Sequence, residues 1–129
     1  MQTIKRIAAS ALLVLGLLPT VCVAQIAYRA RPIRGIVPCG AGSAPDILAR
    51  MVAQDLSDSV GTALVENRPS SSGVVGVEYV AKSPPDGYTL LLGMTATQTI
   101  NPSLYANIPY DPLRDFTPGA MLAFAPFVV

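Results

Sequence analysis

The chain has no histidine and no tryptophan, and it carries two cysteines, few aromatic residues and few charges. Each shortage removes a class of function. Without histidine, the Ser-His-Asp and Cys-His arrangements that activate a nucleophile cannot be built. With no histidine and so few thiols, a zinc site lacks ligands, so no metal and no cofactor is expected. Charged residues amount to only 13% of the chain, with no basic stripe and no aromatic interleaving, so nucleic acid is not an expected partner. The one long apolar run, residues 7–18, is shorter than the roughly 20 residues that a membrane-spanning helix needs.

That apolar run has a different meaning. Lys5 and Arg6 precede it, Pro19 and Thr20 follow, and Cys22-Val23-Ala24 places small residues at the two positions read by a signal peptidase. Residues 1–24 therefore read as a secretory signal peptide, cleaved after Ala24 to leave Gln25 first. The competing reading is a membrane-anchored lipoprotein acylated at Cys22, which Val21 disfavours because a small residue is wanted there. Removal of Lys5 and Arg6 leaves seven basic residues against eight acidic ones, a net charge of −1. The remainder, residues 25–129, suffices for one small domain with a core. Cys39 is then the sole thiol, which excludes an internal disulfide.

Along residues 25–129, short β-branched runs alternate with helical patterns. Ile33-Arg34-Gly35-Ile36-Val37 reads as a strand ended by Pro38. A small-residue loop, 39–42, leads to Ser43-Ala44-Pro45-Asp46, which predicts a helix start with Ser43 as N-cap and Asp46 as the reciprocal cap. Leu48, Val52, Leu56 and Val60 recur every four residues, while Asp46, Arg50, Gln54 and Asp58 line a polar face. The helix is predicted to reach Val60 and stop at Gly61, with Asp46 and Arg50 as a favourable pair one turn apart. A second strand is predicted over 62–66, a loop over 67–73 and a second helix over 74–82. Pro84-Pro85-Asp86-Gly87 is a turn, and 88–93 reads as a strand apolar on both faces. A Thr-rich loop, a helical turn at 101–105, a Pro-punctuated connector and one or two apolar strands over 121–129 complete the pattern. Strand, helix, strand, helix, strand at this spacing predicts an α/β fold with an open, mostly parallel sheet and flanking helices.

In such sheets ligands bind beyond the carboxyl ends of the strands. Two loops have that position. Gly40, Ala41, Gly42 and Ser43 allow close approach to the backbone and precede a helix N-terminus, which suits a carboxylate or phosphate. Thr95, Ala96, Thr97 and Gln98 offer hydroxyl and amide groups past the third strand. The bland alternative is that both are ordinary strand-to-helix turns, with Asp46 a cap. Cys39 sits where α/β enzymes place a nucleophile, but no base accompanies it and a small buried thiol is the better reading.

Several short segments together resemble a known family. Ile33 to Pro38 with its small-residue loop, Asp46-Ile47-Leu48-Ala49-Arg50, Val65-Glu66-Asn67-Arg68-Pro69 and Pro85-Asp86-Gly87-Tyr88-Thr89-Leu90-Leu91 are similar to the Bug-type substrate-binding proteins of tripartite tricarboxylate transporters. Asn101-Pro102-Ser103-Leu104-Tyr105 and Pro109-Tyr110-Asp111-Pro112 with Asp115-Phe116 extend the likeness, in family order, over nearly all of residues 25–129. The resemblance implies a type II periplasmic-binding-protein-like fold of two lobes, with 25–129 the N-terminal part of the first lobe, incomplete and ending near the crossover to the second. It implies an extracytoplasmic, periplasmic receptor, not an enzyme, that binds a small carboxylate and works as a monomer with the membrane components of a tripartite tricarboxylate transporter. It also implies that backbone N–H groups of Gly40, Ala41, Gly42 and Ser43, and of Thr95, Ala96, Thr97 and Gln98, hold the ligand. The chain departs from the family pattern at Cys39, at Ser70, Ser71 and Ser72, and at Ala96 and Gln98, where an aromatic, a Gly-rich loop, a glycine and a histidine are usual. A lone incomplete lobe is expected to bind weakly. The alternatives are a small α/β enzyme using Cys39, or an interaction module anchored at Cys22.

Overall fold

The structure is a computed structural model that describes residues 31–126. The predicted signal peptide 1–24, with Cys22, and Gln25 lie outside the described residues, as do residues 127–129. Five strand and helix segments follow the predicted alternation: β1 (Ile33–Val37), α1 (Ala44–Ser59), β2 (Ala63–Asn67), α2 (Val74–Ala81) and β3 (Thr89–Leu91). A π-helical turn (Ala96–Ile100) then runs directly into α3 (Asn101–Leu104).

The three strands form one parallel sheet in the order β2-β1-β3. Ile33 pairs with Ala63 and Arg34 with Thr89, so all three strands point their carboxyl ends the same way. β1 is central and the most buried of the three: Ile33, Ile36 and Val37 are buried to 2% exposure or less. α1 packs over β1 and β2, and α2 over β1 and β3.

Alternation along β1 puts Arg34 and Ile36 on one face of the sheet. That face meets α2, where Tyr79 takes a hydrogen bond from Arg34 through its hydroxyl at 2.6 Å. The guanidinium of Arg68 stacks on the same ring, 3.6 Å from its centroid, and Glu66 accepts hydrogen bonds from both arginines. The polar cluster thus uses its aromatic ring as a floor for two cations.

The other face is less covered than the run 88–93 suggests. β3 is only three residues long, and Leu90 at its centre is 41% exposed. An apolar groove of about 1210 Å3 opens there, bounded by Gly35 and Leu90 of the sheet, Leu56 of α1, and Phe116 and Leu122 of the C-terminal segment. No described element fills it, and none of residues 88–93 is fully buried. Residues 121–126 also differ from the expectation of strands: they form no regular element and are exposed.

The start of α1 is built differently from a simple capping box. Ser43 has the extended N-cap backbone, but its side chain does not cap the helix. Its hydroxyl instead donates back to the Gly40 carbonyl at 2.7 Å and lies 2.9 Å from the Cys39 sulfur. The N-terminal cap comes from Asp46, which reaches past Ser43 to accept the Gly42 N–H at 2.8 Å. Asp46 is therefore not on a polar outer face. Its exposure is 2%.

Candidate functional site

The order β2-β1-β3 makes the chain leave β1 toward one side and return to β3 on the other. In open α/β sheets the crevice at such a switch point, beyond the strand carboxyl ends, is where ligands bind. Here the crevice lies between the ends of β1 and β3. Residues 38–43 and 92–95 leave those two ends, and the Leu92 N–H donating to the Ile36 carbonyl at 2.9 Å shows that they depart side by side. Both sets of residues singled out in the sequence therefore belong to one rim.

The first loop is held from below by a closed polar ring. Asp46 accepts Gly42 N–H and Arg50 Nε, at 2.8 and 3.0 Å, on one carboxylate oxygen. Its other oxygen accepts Asn67 Nδ2 at 2.8 Å, and the same amide nitrogen donates to the Cys39 carbonyl at 3.2 Å. Arg50 closes the ring by donating to Asn67 Oδ1 at 3.1 Å. Both shoulders of the loop, Cys39 and Gly42, are thus fixed to the end of β2 and the first turn of α1. The guanidinium of Arg50, with the Gly42 N–H and the Asn67 amide, holds the Asp46 carboxyl down at about 2, against the opposing effect of burial.

This ring decides what the loop has left to offer. The N–H of Gly42 is spent on Asp46, and that of Ser43 points at Gly40 O across a long 3.4 Å. The N–H groups of Gly40 and Ala41 have no partner among the described residues, and both residues are exposed. Gly42 itself adopts φ +80, a left-handed turn that only glycine takes freely.

The second loop repeats the arrangement with different parts. The hydroxyl of Thr97 donates to the Met94 carbonyl at 3.0 Å and accepts the Met94 N–H at 3.2 Å. Thr97 is fully buried, and its own carbonyl accepts the Tyr110 hydroxyl at 2.6 Å. Its side chain is therefore a structural pin and not a surface donor. Thr95 and Ala96 are exposed, with N–H groups unpartnered among the described residues at the opening of the π-helical turn. Gln98 folds its side chain back over Gly93, with its Cγ 3.3 Å from where a β-carbon of that glycine would stand.

Four contributors were not singled out in the sequence. Asn67 ties the first loop to β2, Gly73 lets the start of α2 wedge between Pro38 and Thr97, and Tyr110 anchors Thr97 from the connector. Asn101, buried in α3, donates to the Ser72 carbonyl at 2.8 Å and so joins the loop before α2 to the same rim. Each acts across many residues of sequence, so no local pattern marks it.

Known relatives share this fold. The profile of the tripartite tricarboxylate transporter family receptor matches residues 48–129, which includes the second loop and begins just after the first. The chain is 43% identical over 104 residues to the protein BugT of Bordetella pertussis, covering 79% of this chain and 32% of BugT. Among solved structures, the periplasmic binding protein BugD shares 38% identity at a TM-score of 0.65, over 69% of this chain and 30% of BugD. MatC of Rhodopseudomonas palustris, solved with bound malate, shares 31% identity at a TM-score of 0.68, over 72% of this chain and 32% of MatC. A second R. palustris protein, solved with adipate, shares 36% identity at a TM-score of 0.62, over 65% of this chain and 28% of that protein. The chain thus spans about a third of the length of the relatives it matches. By sequence and by fold, the chain belongs to the tripartite tricarboxylate transporter receptor family.

Proposed function

We propose that this chain is the first-lobe part of a periplasmic solute receptor that takes a small carboxylate at the switch point between β1 and β3. The observation that carries the reading is the pair of loops at that point, each with two exposed N–H groups that no described residue satisfies: Gly40 and Ala41 in one, Thr95 and Ala96 in the other. Convergent backbone donors suit an anionic oxygen, and the first pair lies at the positive end of the 16-residue helix α1. Gly42 and Ser43 shape the first loop, while Thr97 and Gln98 shape the second. That relatives were solved with malate and with adipate supports a carboxylate as the ligand class.

The rest of the assignment follows the same source. The signal-like residues 1–24 and the periplasmic neighbours support export, and the family description supports a membrane transporter as partner. A non-enzymatic role is supported by relatives described as receptors and binding proteins. The Cys39 sulfur pairs with the Ser43 hydroxyl and has no basic residue in hydrogen-bonding reach among the described residues.

The test is a thermal-shift series of the exported chain against small mono-, di- and tricarboxylates. A ligand that binds only the folded state raises the melting temperature with concentration. A saturable rise for one carboxylate, lost when Ala41 is replaced by proline to delete its N–H, is the expected result. A cooperative melt that no carboxylate moves would overturn the reading.

A further inference from the structure

A helix N-terminus with spare N–H groups accepts sulfate or phosphate as readily as a carboxylate. The carboxylate reading therefore needs something that tells them apart, and the candidate is the charge beneath the first loop. Asp46 is almost completely buried, and its carboxylate accepts the N–H of Gly42, the residue next to Ala41. Its only cationic partner among the described residues is Arg50, whose side chain is 53% exposed. Water screens the guanidinium far more than it screens the carboxylate, so the pair does not cancel: seen from the loop, a negative charge remains.

We infer that Asp46 is a selectivity residue, which sets the local charge of the first loop so that a singly charged carboxylate head is accepted and a doubly charged oxyanion head is rejected. The inference rests on the carboxylate reading of the same loop. Its logic is Coulombic. The donors' attraction and the repulsion from Asp46 both scale with the charge on the head, whereas the cost of desolvating the head grows with the square of that charge. By lowering the net attraction, Asp46 leaves enough to desolvate a head of one charge and too little for a head of two. Asp46 touches no ligand in this scheme. It acts through Gly42 and the electrostatic field, while Asn67 and Arg50 keep its carboxylate in place.

Succinate and sulfate are the right probes, because both carry two charges but succinate divides them between its ends. Their affinities are compared at constant ionic strength by following the backbone amide resonances of Gly40 and Ala41, in the wild-type chain, in Asp46→Asn and in Arg50→Gln. The expected result is a rise of about tenfold or more in the sulfate-to-succinate affinity ratio for Asp46→Asn, and a fall in that ratio for Arg50→Gln. An Asp46→Asn chain that loses both anions equally would show a purely structural role and overturn the inference. So would a ratio unmoved in both variants, or no perturbation of the two resonances by either anion in any of the three proteins. Should Asp46→Asn not fold, the exposed Arg50→Gln decides alone, and an unchanged ratio overturns the inference. Succinate binding by the wild type with an unmoved ratio leaves the receptor reading standing and sinks only the selectivity. Sulfate binding by Asp46→Asn, with no carboxylate bound by the wild type, overturns both.

Discussion

A β-carbon placed on Gly73 would stand 2.8 Å from the Thr97 methyl carbon and 3.3 Å from the Pro38 carbonyl oxygen. Gly73 therefore marks where the start of α2 is pressed against both loops at once. Gly76, one turn on, lies just as close to Pro38, with its β-carbon position 2.9 Å from that ring. The two loops are held in register with each other by the backbone of α2 and by the absence of side chains on it.

Gly73→Ala is expected to be costly for two separate reasons. Gly73 has φ +73, where an L side chain loses roughly 1–2 kcal/mol. Forcing a methyl group against Thr97 and Pro38 adds roughly 1–3 kcal/mol of overpacking. Chemical denaturation is expected to show a drop within the sum of those ranges. A loss under about 0.5 kcal/mol would mean that α2 moves away freely, and that the loops are not locked to one another.

Tyr110→Phe probes the anchor on the other side of Thr97. The hydroxyl it removes donates to the buried Thr97 carbonyl at 2.6 Å, and the ring keeps its edge-to-face contact with Phe116, 6.2 Å between centroids. Loss of a single buried hydrogen bond without loss of packing predicts a decrease of about 1–2 kcal/mol. Faster amide exchange is expected at the start of the π-helical turn, with β1 and α1 unaffected. Uniformly faster exchange would show Tyr110 to be part of the general core.

The contrast between these residues and the strands shows what the sequence made legible. β1, α1 and α2 were readable because their signals are local: β-branched runs, a four-residue apolar repeat, and Ser-Ala-Pro-Asp at a helix start. The location of both loops followed from alternation alone. The state of Asp46 did not follow, because its burial depends on Asn67, 21 residues away, which takes the place of solvent. The cap at Gly42 was likewise hidden, since Ser43 has the right identity and backbone for an N-cap but spends its hydroxyl on Gly40. The exposure of Leu90 reversed an inference from composition. An apolar run records that a strand is covered on both faces, but not whether the covering lies within the described residues.

Asp46 also sets an acid limit on stability. Hydrogen bonds from Arg50, Gly42 and Asn67 hold its carboxyl at about 2, below the ordinary 3.8, so the folded state favours the ionised form. Its contribution is fully present above the ordinary value and is lost as pH falls through the interval down to about 2. Asp46→Asn is expected to lower the melting temperature near neutral pH and to flatten the decline over that acid interval. Wild-type and variant curves that fall in parallel through that interval would show that Asp46 titrates no differently folded than unfolded.

Thr95 and Thr97 are two residues apart and are expected to behave oppositely. Thr97 is fully buried with its hydroxyl paired inside the loop, whereas Thr95 is exposed and its hydroxyl has no partner among the described residues. Thr97→Val keeps the shape but strands the Met94 N–H, while the Met94 carbonyl keeps the N–H groups of Thr97 and Gln98, which predicts roughly 1–3 kcal/mol of destabilisation. Thr95→Pro removes the N–H proposed to hold a carboxylate at the opening of the π-helical turn, where proline is tolerated because no internal bond is lost. It is expected to leave the melting temperature within about a degree while weakening carboxylate binding by about tenfold, the loss of one hydrogen bond to a charged group. Equal affinity in Thr95→Pro and wild type, with both folded, would move the ligand away from this loop and leave the first loop to hold it alone.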